Sequence, residues 1–117
     1  MINSSVLNTK GSPGASVYGS TKAAVRSLAR SFSSELIGNG VRVNVISPGP
    51  IATPIWESDG VPTAVRDERA ANIAKTNPSK RFGQTEEIAG PVAFLLSDDS
   101  SYVVGAELYV DGGASQL

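Results

Sequence analysis

Apolar residues recur along the chain at spacings that predict strands alternating with helices. A first strand is expected from Met1 to Ser4, extending as far as Leu7, and a second from Val41 to Ile46, where β-branched residues dominate. Between them a helix is expected from about Ser16 to Ile37. Four of its apolar residues lie three or four positions apart and predict one buried stripe, namely Val25, Leu28, Phe32 and Leu36. A strand, a helix and a strand in this order predict a right-handed parallel crossover.

The second half of the chain predicts an irregular segment, a helix and a last strand. Residues of mixed character run from Ile51 to Pro78, with a helix expected at about 63–75, and this segment fits a lid over a site. A further helix is expected at 85–96, with acidic residues in its first turn, where the helix dipole favours them. Pro91 lies inside that pattern, so either it falls late in the first turn or the helix kinks there. The last strand is expected at 106–110.

Composition narrows the class of protein. The chain has 117 residues, 40% of them hydrophobic and 18% charged, which suits one domain with its own core. Its 10 basic and 11 acidic residues are interspersed and give a net charge of -1, so we expect no surface for nucleic acid or an anionic membrane. Cysteine and histidine are absent, which excludes disulfides, thiol catalysis, a histidine-based triad and a zinc site, and no metal site is predicted. No apolar run approaches the ~20 residues that span a bilayer, and a cytoplasmic location is expected.

Tyr18 and Lys22 form the candidate chemical site. Residues four apart on a helix share one face, so the phenol and the ammonium can meet at one point. A neighbouring cation favours the phenolate, which suits a group that must give and take protons near neutral pH. The spacing alone favours a simpler interpretation, an ordinary amphipathic pair with a half-buried ring and a solvated lysine. The flanking residues reverse that preference.

Five motifs in order resemble the C-terminal half of a short-chain dehydrogenase/reductase. They are I-N-S-S at positions 2–5, Y-G-S-T-K-A-A at 18–24, V-R-V-N-V-I-S-P-G-P-I-A-T-P at 41–54, R-F-G-Q-T-E-E-I-A at 81–89 and G-A-E-L-Y-V-D-G-G at 105–113. The resemblance implies an α/β fold, the C-terminal half of a Rossmann-like doubly wound parallel sheet with about three strands and flanking helices. Residues 1–117 would be a single partial domain with its lid at 51–78 and a continuous helix through Pro91.

The resemblance implies an oxidoreductase that transfers hydride between NAD or NADP and a small-molecule carbonyl or secondary alcohol. The family's glycine-rich turn, ribose selector, Asn-Asn-Ala-Gly segment and catalytic asparagine have no counterpart in the sequence. We therefore expect the isolated chain to have little or no activity. The alternative is a truncated, non-catalytic fragment that acts as an oligomerisation or binding module.

Matching positions carry the family's catalytic roles. Ser5, thirteen residues before the tyrosine, would hydrogen-bond the substrate oxygen, with Ser4 on the opposite strand face as the alternative. Tyr18 would give a proton to the developing alkoxide in reduction, or remove one in oxidation. Lys22 would favour the phenolate and bind the nicotinamide ribose hydroxyls, so Tyr18 and Lys22 also count among the cofactor-binding residues. For Ser4, a structural role stays open, in which its hydroxyl hydrogen-bonds backbone groups at the end of the strand.

The loop after the second strand is expected to contact the cofactor. Pro48 and Gly49 match the segment beneath the nicotinamide, where glycine permits close approach of the backbone. Ile51 would contact the carboxamide through its backbone, and Thr53 would offer its hydroxyl to the carboxamide or the pyrophosphate. The simpler interpretation of these residues is a turn after a strand. Trp56 is expected to belong to the lid or the substrate pocket.

Association with further copies is also expected. An unpaired edge on the opening strand and an uncovered apolar stripe on the first helix both favour contact with another chain. The resemblance implies a homo-oligomer, a dimer or tetramer, with contacts through the first helix and through the last helix and strand.

Overall fold

The chain forms a three-stranded parallel sheet with helices packed around it, in a computed structural model that describes residues 1–57 and 60–117. The strands are β1 (Ile2–Asn3), β2 (Val45–Pro48) and β3 (Glu107–Val110), and β2 lies in the middle. Ile2 pairs with Val45, and Val45 pairs with Glu107, so all three strands begin at one end of the sheet. The predicted α/β class and the parallel pairing of the first two strands are confirmed.

Within the described residues, three helices accompany the sheet: α1 (Ser16–Leu36), α2 (Thr63–Thr76) and α3 (Thr85–Leu96). Their bounds agree with the predicted helices to within one residue. Pro91 lies inside α3, which runs on without interruption, as the resemblance implies. None of the helices in the described ranges combines the length and apolar character needed to cross a bilayer. Short 3-10 turns stand at Val6–Asn8, Ile37–Asn39, Pro54–Glu57 and Asp98–Ser100.

The predicted bounds of both strands in the first half of the chain were wrong. β1 ends at Asn3: the Ser4 N–H still donates to the Ile46 carbonyl at 2.8 Å, and the chain then turns into the 3-10 segment Val6–Asn8. β2 begins at Val45 rather than at Val41. Just before it, the Asn44 side chain accepts a hydrogen bond from the Ala106 N–H at 3.0 Å and donates one to the Val103 carbonyl at 2.8 Å. A side chain therefore replaces part of the backbone ladder there.

The face of α1 that meets the sheet coincides only in part with the predicted apolar stripe. Leu28 and Phe32 are 48% and 41% exposed, whereas Ala29 and Ser33 are buried. Ala29 packs against Val43 and Val45 in the core. Small side chains let the helix lie close to the sheet, and large apolar ones are displaced to its flank. Of the predicted stripe, Leu36 packs half-buried against this core and Val25 is half-buried, whereas Leu28 and Phe32 are exposed.

The predicted lid at 51–78 consists of the 3-10 turn Pro54–Glu57, a connection and α2. Two of its positions, 58 and 59, lie outside the described residues. The loop before the turn is tied to a later segment by a parallel bridge between Ile51 and Gly83. The Ala52 N–H donates to the Gly83 carbonyl, and the Gly83 N–H donates to the Pro50 carbonyl, each at 2.9 Å. The start of the lid is thereby anchored.

Candidate active site

Tyr18 and Lys22 lie one turn apart at the start of α1. The Lys22 Nζ is 5.6 Å from the centroid of the Tyr18 ring, within the range of a cation–π contact. Tyr18 is 48% exposed, so its ring remains accessible from solvent. The helix brings the two groups together as the four-residue spacing predicts.

Asn3, the last residue of β1, and Ser4, which follows it, hold the side chain and the backbone of Lys22. The Lys22 Nζ donates to the Asn3 carbonyl at 3.2 Å, and the Ser4 Oγ donates to the Lys22 carbonyl at 2.9 Å. One of these bonds fixes the ammonium, and the other fixes the helix backbone. Two hydrogen bonds therefore fix the position of Lys22 relative to the end of β1.

The two neighbouring serines differ in what their hydroxyl groups bond. Ser5 caps the 3-10 turn, and its Oγ accepts the Leu7 N–H at 3.2 Å. That contact uses the oxygen as an acceptor and leaves the hydroxyl proton for another partner. Ser4 is 2% exposed, and its hydroxyl donates a hydrogen bond to the Lys22 carbonyl. The contacts of Ser4 match the structural role that the sequence left open for it.

Ser5 and Tyr18 belong to segments in close contact. A Cβ on Gly19 would lie 2.8 Å from the Leu7 carbonyl oxygen, so only glycine lets the first turns of α1 approach the 3-10 turn this closely. Ser5 caps that turn and Tyr18 precedes Gly19. The close approach brings the serine-bearing segment against the first turns of α1.

The loop after β2 packs against the end of β3. The Gly49 N–H donates to the Val110 carbonyl at 3.0 Å, and a Cβ on Gly49 would lie 2.7 Å from the Cα of Asp111. Asp111, the residue after β3, therefore already requires glycine at position 49. Pro48, the last residue of β2, is half-buried beside it.

Ile51 and Thr53 are both bonded to Trp56. The Trp56 Nε1 donates to the Ile51 carbonyl at 2.7 Å, and the Trp56 backbone N–H donates to the Thr53 carbonyl at 3.3 Å. A carbonyl oxygen has two lone pairs, so Ile51 keeps one for a further donor. The Thr53 residue lines an open cavity that Trp56 also borders.

Sequence reasoning missed a polar network beneath the site. Its centre is Glu107 on β3, whose side chain is 7% exposed and pairs with Arg26 of α1. Asn8 Nδ2 donates to the carboxylate, to Ser4 Oγ at 3.0 Å and to Ser47 Oγ at 3.3 Å. A glutamate inside the otherwise apolar E-L-Y-V strand was the signal that could have revealed it.

Burial and hydrogen bonding act on Glu107 in opposite directions. Burial alone raises the pKa of the carboxyl group, because the charged form loses solvent. Hydrogen bonds outweigh that effect and leave the pKa of Glu107 below its ordinary value. The donors are Ser47, Asn8, Tyr109 and Arg26.

Other polar residues near the site have structural partners. Glu87 accepts two hydrogen bonds from Arg81 and one from the Gln84 N–H, which completes a capping box for α3. The Arg81 bond, and then the Gln84 N–H, lower the pKa of Glu87 to about 2. Asp111 accepts bonds from the Gly113 and Ser115 N–H groups and so closes the turn after β3. Across the described ranges, no group of acidic side chains could hold a metal ion.

The arrangement suits proton transfer to an oxygen atom. An accessible phenol stands beside a fixed ammonium, and a serine hydroxyl lies in the segment packed against the same helix. All three are close in sequence or space to the carboxyl end of β1. In open parallel sheets, ligands bind outside the carboxyl ends of the strands.

Comparison with known proteins agrees with this geometry. A family model described as "Enoyl-(Acyl carrier protein) reductase" matches residues 1–115. The chain belongs to the short-chain dehydrogenase/reductase family. Oxidoreductase asL5 of Sarocladium schorii is 43% identical over 117 residues, which are 100% of this chain and 45% of that protein.

Solved structures of short-chain dehydrogenases share the fold. Levodione reductase is 38% identical, with a TM-score of 0.89 over 97% of this chain and 45% of its own. A structure from Beutenbergia cavernae, described as an NAD(P)-dependent gluconate 5-dehydrogenase with bound NADP at low occupancy, is 38% identical with a TM-score of 0.82. The match covers 97% of this chain and 44% of that protein. The chain thus spans less than half the length of these short-chain dehydrogenases.

Proposed function

We propose that the chain forms the catalytic part of an NAD(P)-dependent oxidoreductase acting on a small-molecule carbonyl or secondary alcohol in the cytoplasm. The contact of Lys22 Nζ with the Tyr18 ring, fixed by the Asn3 carbonyl, carries the proposal. In reduction, the Tyr18 hydroxyl donates its proton to the substrate oxygen while Ser5 donates a hydrogen bond to it. In oxidation, the phenolate removes the proton, and Lys22 stabilises the phenolate charge.

We propose that NAD or NADP binds against this pair and the loop after β2. Nicotinamide supplies or accepts the hydride when it is bound. Lys22 has three N–H donors and uses one on the Asn3 carbonyl, so it can bond the ribose hydroxyls as well. Pro48, Gly49, Ile51 and Thr53 would border the nicotinamide, with the free lone pair of the Ile51 carbonyl directed to the carboxamide.

We expect the isolated chain to have little or no activity, since the sequence lacks a glycine-rich turn for the pyrophosphate. Titration of the purified chain with NADH and NADPH, with and without carbonyl substrates, tests this. Substrate-dependent turnover by the isolated chain would contradict it.

A chimera tests the catalytic roles directly. In it, this chain replaces the matching 45% of the fungal oxidoreductase asL5, which supplies the remaining part. We expect NAD(P)H-dependent turnover, and a loss of about 10²- to 10⁴-fold in kcat on Tyr18→Phe, the usual contribution of a general acid or base. Tyr102→Phe is the matched control, because Tyr102 is 100% exposed. Full activity in the Tyr18→Phe chimera would refute the role of Tyr18.

The alternative, an oligomerisation module, also has an observation in its favour. Leu28 and Phe32 are large apolar residues that α1 leaves exposed on its flank. We propose that this flank joins two copies of the chain in a dimer or tetramer. Analytical ultracentrifugation should show an oligomer that Leu28→Glu dissociates, and a strictly monomeric parent chain would contradict the proposal.

A further inference from the structure

Glu107 is the residue at which three parts of the fold meet. It lies in β3, and its side chain is 7% exposed. One carboxylate oxygen, Oε2, pairs with Arg26 of α1. The other, Oε1, accepts hydrogen bonds from Asn8, the last residue of the 3-10 turn Val6–Asn8, and from Ser47 of β2 at 2.7 Å. One side chain therefore joins the helix, the turn and the sheet.

The bond to α1 lies on the helix face that carries the candidate catalytic pair. Tyr18, Lys22 and Arg26 follow one another at intervals of four residues, so their side chains project from the same side of α1. Arg26 is one turn beyond Lys22, and a bond that fixes Arg26 also limits rotation and sliding of the helix at the pair. Glu107 thus anchors this face of α1 to β3.

The bond to the turn acts on the segment that carries Ser5. Ser5 caps the turn by accepting the Leu7 N–H, and its carbonyl accepts the Asn8 N–H at 3.0 Å. The Asn8 side chain is buried and donates to the Glu107 carboxylate. Asn8 is therefore bonded to Ser5 through its backbone and to Glu107 through its side chain. The same carboxylate holds both the serine-bearing turn and α1.

Building on the proposed function, we propose that Glu107 is a positioning residue of the reaction. Through its bonds to the turn and to α1 it sets the separation between the Ser5 hydroxyl and the Tyr18 phenol, without itself contacting substrate or cofactor. Catalytic groups must be held within about 0.5 Å of their productive positions. A misplacement of about 1 Å can lower a rate about 10²-fold. A buried ion pair with further hydrogen bonds is a rigid support for such a geometry.

A distance measurement on the isolated chain tests this geometry without catalysis. The chain has no cysteine, so Lys10→Cys and Ser27→Cys introduce the thiols for two spin labels, one just after the turn and one on α1. Both positions are exposed. Double electron–electron resonance then gives the distribution of distances between the labels. We expect Glu107→Gln to broaden or shift that distribution, because glutamine can still accept from Asn8 but cannot form the ion pair with Arg26.

Two further variants separate positioning from a loss of stability. Arg26→Gln removes the same ion pair from its other side, so Arg26→Gln and the double variant should match Glu107→Gln rather than add to it. Leu95→Ala opens a cavity at a buried residue of α3 and should lower stability without changing the distribution. Circular dichroism checks that each variant is folded. An unchanged distribution in the folded ion-pair variants, or an equal change in Leu95→Ala, would overturn the proposal.

Turnover by the chimera with asL5 tests the consequence for the reaction. With NADH or NADPH and 2,3-hexanedione as the carbonyl probe, we expect Glu107→Gln to lower kcat by about 10- to 100-fold. KM should change far less, because the displaced groups act in the transition state. Leu95→Ala should leave both constants unchanged at temperatures where it is folded. Full kcat in the Glu107→Gln form of an active chimera would contradict the positioning role.

The two measurements distinguish failure of this proposal from failure of the proposed function. If the parent chimera is inactive, the oxidoreductase activity is removed, and the label distances alone decide whether Glu107 sets the geometry. If the parent chimera is active and neither the distances nor kcat respond to Glu107→Gln, the proposed function stands and the positioning role is wrong.

Discussion

Replacing Glu107 with alanine tests whether the polar network stabilises the contact between α1 and the sheet. The Glu107 side chain is 7% exposed and pairs with Arg26, whose side chain is 30% exposed. Asn8 and Ser47 also donate to the carboxylate. Alanine would leave these donors without their acceptor and Arg26 without its counter-ion.

The expected loss can be worked out from this burial. Removing one partner of a buried ion pair costs about 3–5 kcal/mol, and the partial exposure of Arg26 favours the lower end, about 3 kcal/mol. Domains are stable by only ~5–15 kcal/mol. With a urea m-value of about 1–3 kcal/mol/M, the midpoint should fall by roughly 1–3 M. Trp56 fluorescence and circular dichroism would follow the unfolding.

Two matched variants separate the effects. Glu87→Ala removes a carboxylate whose ion pair with Arg81 lies on the surface, and it should shift the midpoint far less. Glu107→Gln keeps the shape and removes the charge, so an intermediate midpoint is expected. The reasoning fails if Glu107→Ala is no more destabilising than Glu87→Ala.

The same residue predicts a pH dependence. Because the folded-state pKa of Glu107 lies below its ordinary value of 4.5, the carboxylate stabilises the fold above pH 4.5. That contribution is lost as the pH falls through the folded-state pKa. Unfolding free energies measured between pH 7 and pH 3 should therefore fall less steeply in Glu107→Ala than in the parent chain.

Two further substitutions give sharp expectations. Gly49→Ala places a Cβ 2.7 Å from the Cα of Asp111 and should lower the free energy of unfolding in urea by about 1–3 kcal/mol. Gly90→Ala adds a Cβ in a helix where no atom lies within 4 Å, and it should raise that free energy by up to about 1 kcal/mol. Equal effects of the two substitutions would contradict the close approach at Gly49. For Glu87, whose folded-state pKa is about 2, the stabilising ion pair with Arg81 is complete above pH 4.5 and is lost as the pH falls towards 2. NMR titration of the Glu87 side chain would measure that pKa, and a value near 4.5 would be the contrary result.

The helices and the contact of the candidate pair could be predicted because both depend on local spacing. Gly40 ends the turn after α1 with a φ of 75°, which glycine adopts readily, so the end of that helix could be predicted from the sequence. Tyr18 and Lys22 lie four residues apart on one helix, and their contact needs no information from distant residues. Acidic residues likewise indicated the start of α3.

The packing of α1 and the network could not be predicted, because each depends on distant residues. Hydrophobic periodicity favoured the stripe with Leu28 and Phe32, but close approach to the sheet selects small side chains such as Ala29. The network joins Asn8 to Glu107, which are 99 positions apart in the chain. No local pattern reports a pairing over that separation.

The two adjacent serines after β1 bond different partners. Ser4 spends its proton on the Lys22 carbonyl and accepts the Asn8 amide, so it fixes α1 to the sheet through the network. Ser5 uses only its oxygen on the Leu7 N–H, and its proton remains for another acceptor, which we propose to be the substrate oxygen. Since the Lys22 ammonium also bonds the Asn3 carbonyl, a shift of α1 along β1 would break both bonds of Lys22 at once. The separation of Tyr18 from the strand end is thus set by residues that need no contact with substrate.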